Sequence, residues 1–424
     1  MISDSIQKSV LPNGVRILTM SMPHIHSVSM GIWVDAGARD ETRAEHGLSH
    51  FIEHMIFKGT RRRSAHQIAK EFDAIGGGTN AFTSMENTCY HAKVMGGHMA
   101  TMIDILSDIF LNSVFDQEEM DRERPVIFQE IGMLEDSPDE LVHHLAGQSF
   151  WGDHPLGRPI IGTRENLIQF NSTDLKKFFQ KLYQPDRIIL SAAGRIDHQT
   201  FLNHVQPAFE SLTSIGRLPQ REKPVSDFRV EVHPRELEQA HLCIGSPGVS
   251  ITSPDRYALS LLNTILGGNM SSRLFQEIRE KCGLAYSIYS FVSSFVDAGM
   301  FGIYAAVSPA HAVETVERVL NALQNLKQEP VTADELTSAK EYTKSALLLS
   351  AESNDNQMIR LAQQEIHFNR YVPLDEIVSC IDKVSAEDLL ALSQRLFSDD
   401  HIAITSLGPV TDKHLFSGLI KRAD

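Results

Sequence analysis

Ser172-Thr173-Asp174-Leu175 leads through Leu182-Tyr183 and Asp186 to Ile188-Ile189-Leu190 and Gly194. Ala386-Glu387-Asp388-Leu389 leads in the same way through Leu396-Phe397 and Asp400 to Ile402-Ala403-Ile404 and Gly408, 214 positions further on. Each copy reads as a capped amphipathic helix, a short acidic turn and a β-branched strand that stops at glycine. The offset is about half the chain, so the sequence reads as a duplication. A polar, proline-bearing stretch with Pro219, Arg221, Glu222, Lys223 and Pro224 separates the copies. It predicts domains at 1–213 and 229–424 joined by a linker at 214–228. Within each half, strand runs that alternate in hydropathy, such as 27–34 and 288–307, mix with helical patterns such as 99–115 and 312–326. The expected fold is α+β: two homologous domains, each a mainly antiparallel sheet with helices packed on one face.

Composition agrees with two cores. The chain has 424 residues, 42% of them hydrophobic and 22% charged, a globular balance on a length too great for one core. Lys and Arg total 39 against 54 Asp and Glu, a formal charge of -15. Such a surface repels a phosphate backbone and attracts cationic peptides, so no nucleic-acid partner is expected. Cys89, Cys243, Cys282 and Cys380 form no C-x-x-C pair, which argues against a disulfide framework or a thiolate zinc site and for a reducing compartment. The first residues carry no apolar targeting run, and no uninterrupted apolar stretch is long enough to span a bilayer. No membrane association and a cytoplasmic location are expected.

The chemistry lies in Glu45-His46-Gly47-Leu48-Ser49-His50-Phe51-Ile52-Glu53-His54-Met55-Ile56-Phe57. Phe51, Ile52, Met55 and Ile56 recur at helical spacing and predict a buried face. His50 and His54, in H-x-x-E-H, stand about 40° apart on the other face, so both imidazoles can reach one ion. Glu53 is offset by about 60° beyond His50, clear of the ion and beside a water held on it, the place of a general base. The arrangement is the familiar H-E-x-x-H zinc motif run backwards along the helix. His46 stands a further turn back and is expected near the helix start. A catalytic zinc needs a third protein ligand, and residues 118–135 offer Glu123 and Glu130, seven apart and hence on one helical face. Either can reach the ion while the other orients a histidine ring, and spacing alone does not choose between them. Pro125, between the two, should kink or start that helix.

With these residues in view the chain resembles the pitrilysin/insulinase family of inverted-motif zinc peptidases, and within it the mitochondrial processing peptidase β-like branch of half-length chains. The resemblance runs nearly end to end. In that family the third ligand follows the motif after about 75 residues, and His54 to Glu130 is 76 positions, so the resemblance assigns Glu130 to the metal and Glu123 to the support of a ligand. Asn80-Ala81-Phe82-Thr83-Ser84, after Gly76-Gly77-Gly78, is similar to the family's substrate edge strand, with Asn80, Ala81 and Phe82 the residues expected to bind substrate. The segments 154–157 and 267–274 are also family-like. Arg279 and Tyr286 match an Arg/Tyr pair that contacts substrate near the scissile bond; without the resemblance they read as a surface charge and a core aromatic. Relatives that cut mitochondrial presequences carry two acids four apart that bind a substrate arginine. Here those positions are Glu140 and His144, so half of that subsite is missing.

The expectation is therefore a zinc metallo-endopeptidase that cleaves peptides or unfolded segments, with Zn2+ on His50, His54 and Glu130. Glu53 serves as general base, and Arg279 and Tyr286 as partners of the carbonyl. The resemblance further implies a homodimeric clamshell in which the facing domain comes from a second chain. The alternative is a non-catalytic or partner-dependent scaffold subunit of the same fold.

Overall fold

The computed structural model describes residues 5–214 and 219–420. Its strands are β1 (Ile6–Val10), β2 (Arg16–Ser21), β3 (Ser27–Val34), β4 (Gly78–Thr83), β5 (Thr88–Met95) and β6 (Ile188–Gly194) in one sheet. A second sheet holds β7 (Val230–Pro234), β8 (Ala240–Pro247), β9 (Ala285–Ser294), β10 (Gly299–Val307) and β11 (Ala403–Gly408). The sheet orders are β1-β2-β6-β3-β5-β4 and β7-β11-β8-β10-β9. Without β1 the two are the same arrangement: β2 and β6 are parallel, as are β7 and β11, and every other pairing is antiparallel.

The repeated segments occupy equivalent places in this scheme. Helix Ser172–Leu182 is capped by Asn171, whose side chain accepts from the N–H of Thr173 and Asp174, while Asp174 accepts from the N–H of Asn171 at 3.1 Å. Ser385 and Asp388 form the same reciprocal cap on helix Ala386–Leu396. The strands that follow, β6 and β11, both end on a glycine with left-handed backbone, Gly194 at φ 137° and Gly408 at φ 144°. A Cβ there would meet the Ser27 carbonyl at 2.3 Å or the Gln239 carbonyl at 2.7 Å, so only glycine fits either strand end. The expected patterns at 99–115 and 312–326 are helices Met99–Asn112 and Ala312–Gln328, and the run 288–307 is a hairpin of two strands, β9 and β10.

By packing, the chain forms two units, and their boundaries differ from the linear division predicted from sequence. The first runs up to Gly132 and adds Arg158–Arg221 and Leu349–Pro373; the second takes Met133–Gly157, Glu222–Leu348 and the chain from Leu374 onward. Of the linker expected at 214–228, residues 215–218 lie outside the described residues, and 219–228 are irregular.

In the first unit, helices Leu48–Met55, Met99–Asn112, Ser172–Leu182 and His198–Phe209 bury their apolar faces against one side of the sheet. The other side is also covered. Leu18, Met20, Trp33, Cys89 and Ile189 pack there against Met358, Leu361 and Ala362 of helix Asn354–Phe368, which the second half of the sequence supplies. The alternation expected along β3 is accordingly absent, because residues 28–34 are buried on both faces. In the second unit the main core lies between the sheet and helices Arg256–Leu266, Ala312–Gln328 and Ala386–Leu396. Helix Pro138–Trp151, from the first half of the sequence, packs on β8 and β11. It seats the Phe150 ring over Gly245 and against Phe228, with Trp151 against Phe295. Each unit thus keeps most helices on one face, as the pattern predicts, and borrows one helix for the other.

Candidate metal centre

Helix Leu48–Met55 turns Leu48, Phe51, Ile52 and Met55 into the first unit's core, where all four are buried. That anchoring leaves His50, Glu53 and His54 on the side away from the core. Helix Gln117–Asp136 carries both candidate acids, with Glu123 buried and Glu130 partly open. Pro125 does not start this helix, which already begins at Gln117; a proline there leaves the Asp121 carbonyl without its helical donor.

One ring or carboxylate atom of each of His50, His54 and Glu130 lies within 4.8 Å of the other two, and no other such group occurs among the described residues. The Glu130 Oε2 atom is 3.3 Å from His54 Nε2 and 3.7 Å from His50 Nε2. Tetrahedral zinc with ligands at about 2.0–2.1 Å separates neighbouring ligand atoms by about 3.4 Å, so two imidazoles and one carboxylate at these spacings fit that ion. Glu123 is turned elsewhere. Its Oε1 meets His54 Nδ1 at 2.9 Å and its Oε2 meets Lys58 Nζ at 2.5 Å. It therefore fixes which His54 nitrogen carries the proton and leaves Nε2 facing Glu130. His50 has no such support among the described residues, where its buried Nδ1 meets no hydrogen-bond partner. His46 points away, its Nε2 2.6 Å from the Pro159 carbonyl.

The two histidines differ electrically. Burial, with His54 adding a like charge, pulls His50 down to about 4, so it is neutral at physiological pH. Burial also disfavours charge on His54, but the Glu123 hydrogen bond and the carboxylates of Glu130, Glu123 and Glu53 outweigh it and hold its pKa above the usual value. Burial raises the pKa of the Glu53 carboxyl, and the hydrogen bond from Thr83 and the nearby His54 offset only part of that rise. Thr83 Oγ1 donates to Glu53 Oε2 at 2.6 Å. Thr83 closes β4, the outer strand of its sheet, whose earlier residues include Asn80, Ala81 and Phe82. Residues 78–80 are exposed on that edge and Ala81 and Phe82 are half-buried.

The remaining predicted residues belong to the second unit. Arg279 lies in a π-helical turn, Phe275–Lys281, with its guanidinium 5.0 Å from the centre of the Tyr286 ring on β9. Tyr286 is 79% exposed, which no core role explains. Glu140 is exposed in the first turn of helix Pro138–Trp151. The sequence sets Thr83 on the expected edge strand but gives it no role, and it does not mark Lys58, since neither residue type signals one.

Residues 16–164 match the family described as insulinase (peptidase family M16), and residues 169–342 match the peptidase M16 inactive domain. The chain is 41% identical over 404 residues to the uncharacterized zinc protease YmxG of Bacillus subtilis, covering 95% of this chain and 98% of that one. It is 36% identical over 421 residues to an uncharacterized zinc protease of Streptomyces coelicolor, covering 96% and 91%. A protease from Helicobacter pylori shares the fold at a TM-score of 0.90 and 22% identity, over 95% of this chain and 99% of that one. A peptidase M16 inactive domain from Pseudomonas fluorescens does so at 0.88 and 19%, over 96% and 98%. The metal-ligand group falls in the segment with the peptidase match, and the second match covers most of the repeat that lacks such a group among its described residues.

Proposed function

The chain belongs to peptidase family M16, and from that premise we propose that it is a zinc metallo-endopeptidase cutting peptides or unfolded protein segments. The observation that carries the reading is the convergence of His50, His54 and Glu130, with Glu53 beside them on the same helix face. His50, His54 and Glu130 would hold the metal. When bound, zinc lowers the pKa of a coordinated water and polarises the scissile carbonyl. Glu53 takes the proton of the attacking water and delivers it to the leaving amine, a task suited to a carboxyl whose pKa burial has raised. Glu123, itself held by Lys58, keeps His54 in the tautomer that presents Nε2.

The open edge at Asn80, Ala81 and Phe82 accepts an extended peptide as an added strand, binding main chain with little sequence preference. Thr83 continues that strand and holds Glu53, so the peptide-bearing edge and the base move as one piece. Arg279 and Tyr286 steady the carbonyl oxygen and its developing charge. Glu140 and the charge of -15 favour cationic peptides. The protein works as a homodimer in the cytoplasm, each metal centre receiving its Arg279 and Tyr286 from the other chain.

The test is hydrolysis of a random peptide library. Chelation should abolish it, and stoichiometric zinc should restore it. A chain that neither binds zinc nor cleaves peptides would instead be the scaffold subunit. Mixing His50→Ala with Arg279→Ala tests the shared site: random subunit exchange should restore roughly a quarter of wild-type activity if each site draws on both chains. Exchange without recovery would show that each chain builds its site alone.

A further inference from the structure

Helix Leu48–Met55 is only eight residues long, and its N-cap, Gly47, has no side chain with which to cap it. No larger residue fits at 47, because the backbone is left-handed at φ 100° and a Cβ would meet Gly162 Cα at 2.9 Å. So short a helix is marginal without help at its start, where the first N–H groups lack intrahelical acceptors. Glu41 supplies the missing acceptors. Its Oε2 accepts from the Gly47 N–H at 2.8 Å and its Oε1 from the Ser49 N–H at 2.7 Å, and the residue is 3% exposed. The Ser49 amide immediately precedes His50. The Glu41 main chain is held as well, since its carbonyl accepts from the Arg158 guanidinium at 3.3 Å and its N–H donates to the Ala38 carbonyl.

We propose that Glu41 is a positioning residue for the metal centre: its two-pronged grip on the Gly47 and Ser49 amides sets where the helix begins, and so the angle at which His50 and His54 meet the ion. A metal site tolerates about 0.5 Å and 10–20° of error in its ligands, and a helix whose start can shift or fray exceeds that at His50 first. Glu41 touches neither the ion's ligands nor a peptide, so its effect passes wholly through the helix.

The inference rests on zinc binding at His50, His54 and Glu130, and its test separates the two claims. Zinc affinity of the purified full chain is measured by competition with a chromogenic chelator, beside the melting temperature of the zinc-free protein. Glu41→Gln keeps the shape but sets an amide NH2 against one of the two N–H groups. It should weaken zinc binding by about tenfold, the scale of a residue that orients a ligand from outside the coordination sphere. Glu41→Asp keeps the carboxyl group, loses the reach to one amide, and should fall between Glu41→Gln and wild type; it serves alone if Glu41→Gln does not fold. Glu86→Gln is the control: Glu86 is 5% exposed, lies outside the helix and accepts from Arg39 at 2.7 Å, so it should lower the melting temperature and leave zinc affinity unchanged. Glu41 variants that melt lower yet bind zinc as tightly as wild type overturn the inference alone. A wild-type chain that takes up no zinc overturns the functional reading and this inference with it.

Discussion

His50 and His54 share a helix face but not an environment, and the difference sets how the site should answer to pH. A proton competes with the metal for each ring. His54 is held above its usual pKa, so zinc affinity should begin to fall as the pH drops through the neutral range; His50, at about 4, adds its competition only in strong acid. Glu123→Gln removes a charge that helps to raise His54, and its single remaining oxygen can accept from His54 or from Lys58 but not from both. Zinc release should then need a lower pH, while affinity at high pH falls by about 10 to 100-fold. Glu130→Gln should lose far more affinity, because it removes a ligand; equal losses in the two variants would contradict the roles given to them. The two acids also mark what the sequence could disclose. His50, Glu53 and His54 were legible because their relation is local to one helix. Glu123 and Glu130 share a face, and spacing could not separate them. The side-chain geometry that places one on Nδ1 and the other on Nε2 of His54 is tertiary. Thr83, Lys58 and Glu41 act through partners that no local pattern connects to them.

Among elements, the duplication was readable because capped helix, turn and glycine-ended strand are each local devices, and their common offset needs no tertiary knowledge. The exchanged helices were not. The unbroken apolar run Ile188-Ile189-Leu190 of β6 hints at a strand covered on both faces, as it is, but nothing in it says which helix does the covering. Helix Asn354–Phe368 presents Met358, Leu361 and Ala362 to that sheet and ties itself down with Glu365, which pairs with Lys8 at 2.7 Å. Leu361→Ala should therefore cost about 2–5 kcal/mol in chemical denaturation of the zinc-free chain, the price of a core cavity. A loss below about 0.5 kcal/mol, as at an exposed site, would mean the helix is not seated as described.

At the scale of the molecule the exchange makes the halves interdependent. A fragment of residues 1–213 leaves Leu18, Met20, Trp33 and Ile189 bare, a contiguous apolar face, and should aggregate when expressed alone. Co-expression with residues 229–424 should recover soluble protein; a stable, monomeric 1–213 would contradict the packing. The central claim concerns what the assembled chain holds and does. Its most direct test is native mass spectrometry of wild type and Glu53→Gln, coupled to a peptide-hydrolysis assay on the same preparations. Both proteins should carry one zinc per chain, and Glu53→Gln should lose on the order of 10² to 10⁴ in hydrolysis, as removal of a general base does. Loss of zinc from Glu53→Gln, or undiminished cleavage by it, would contradict the account.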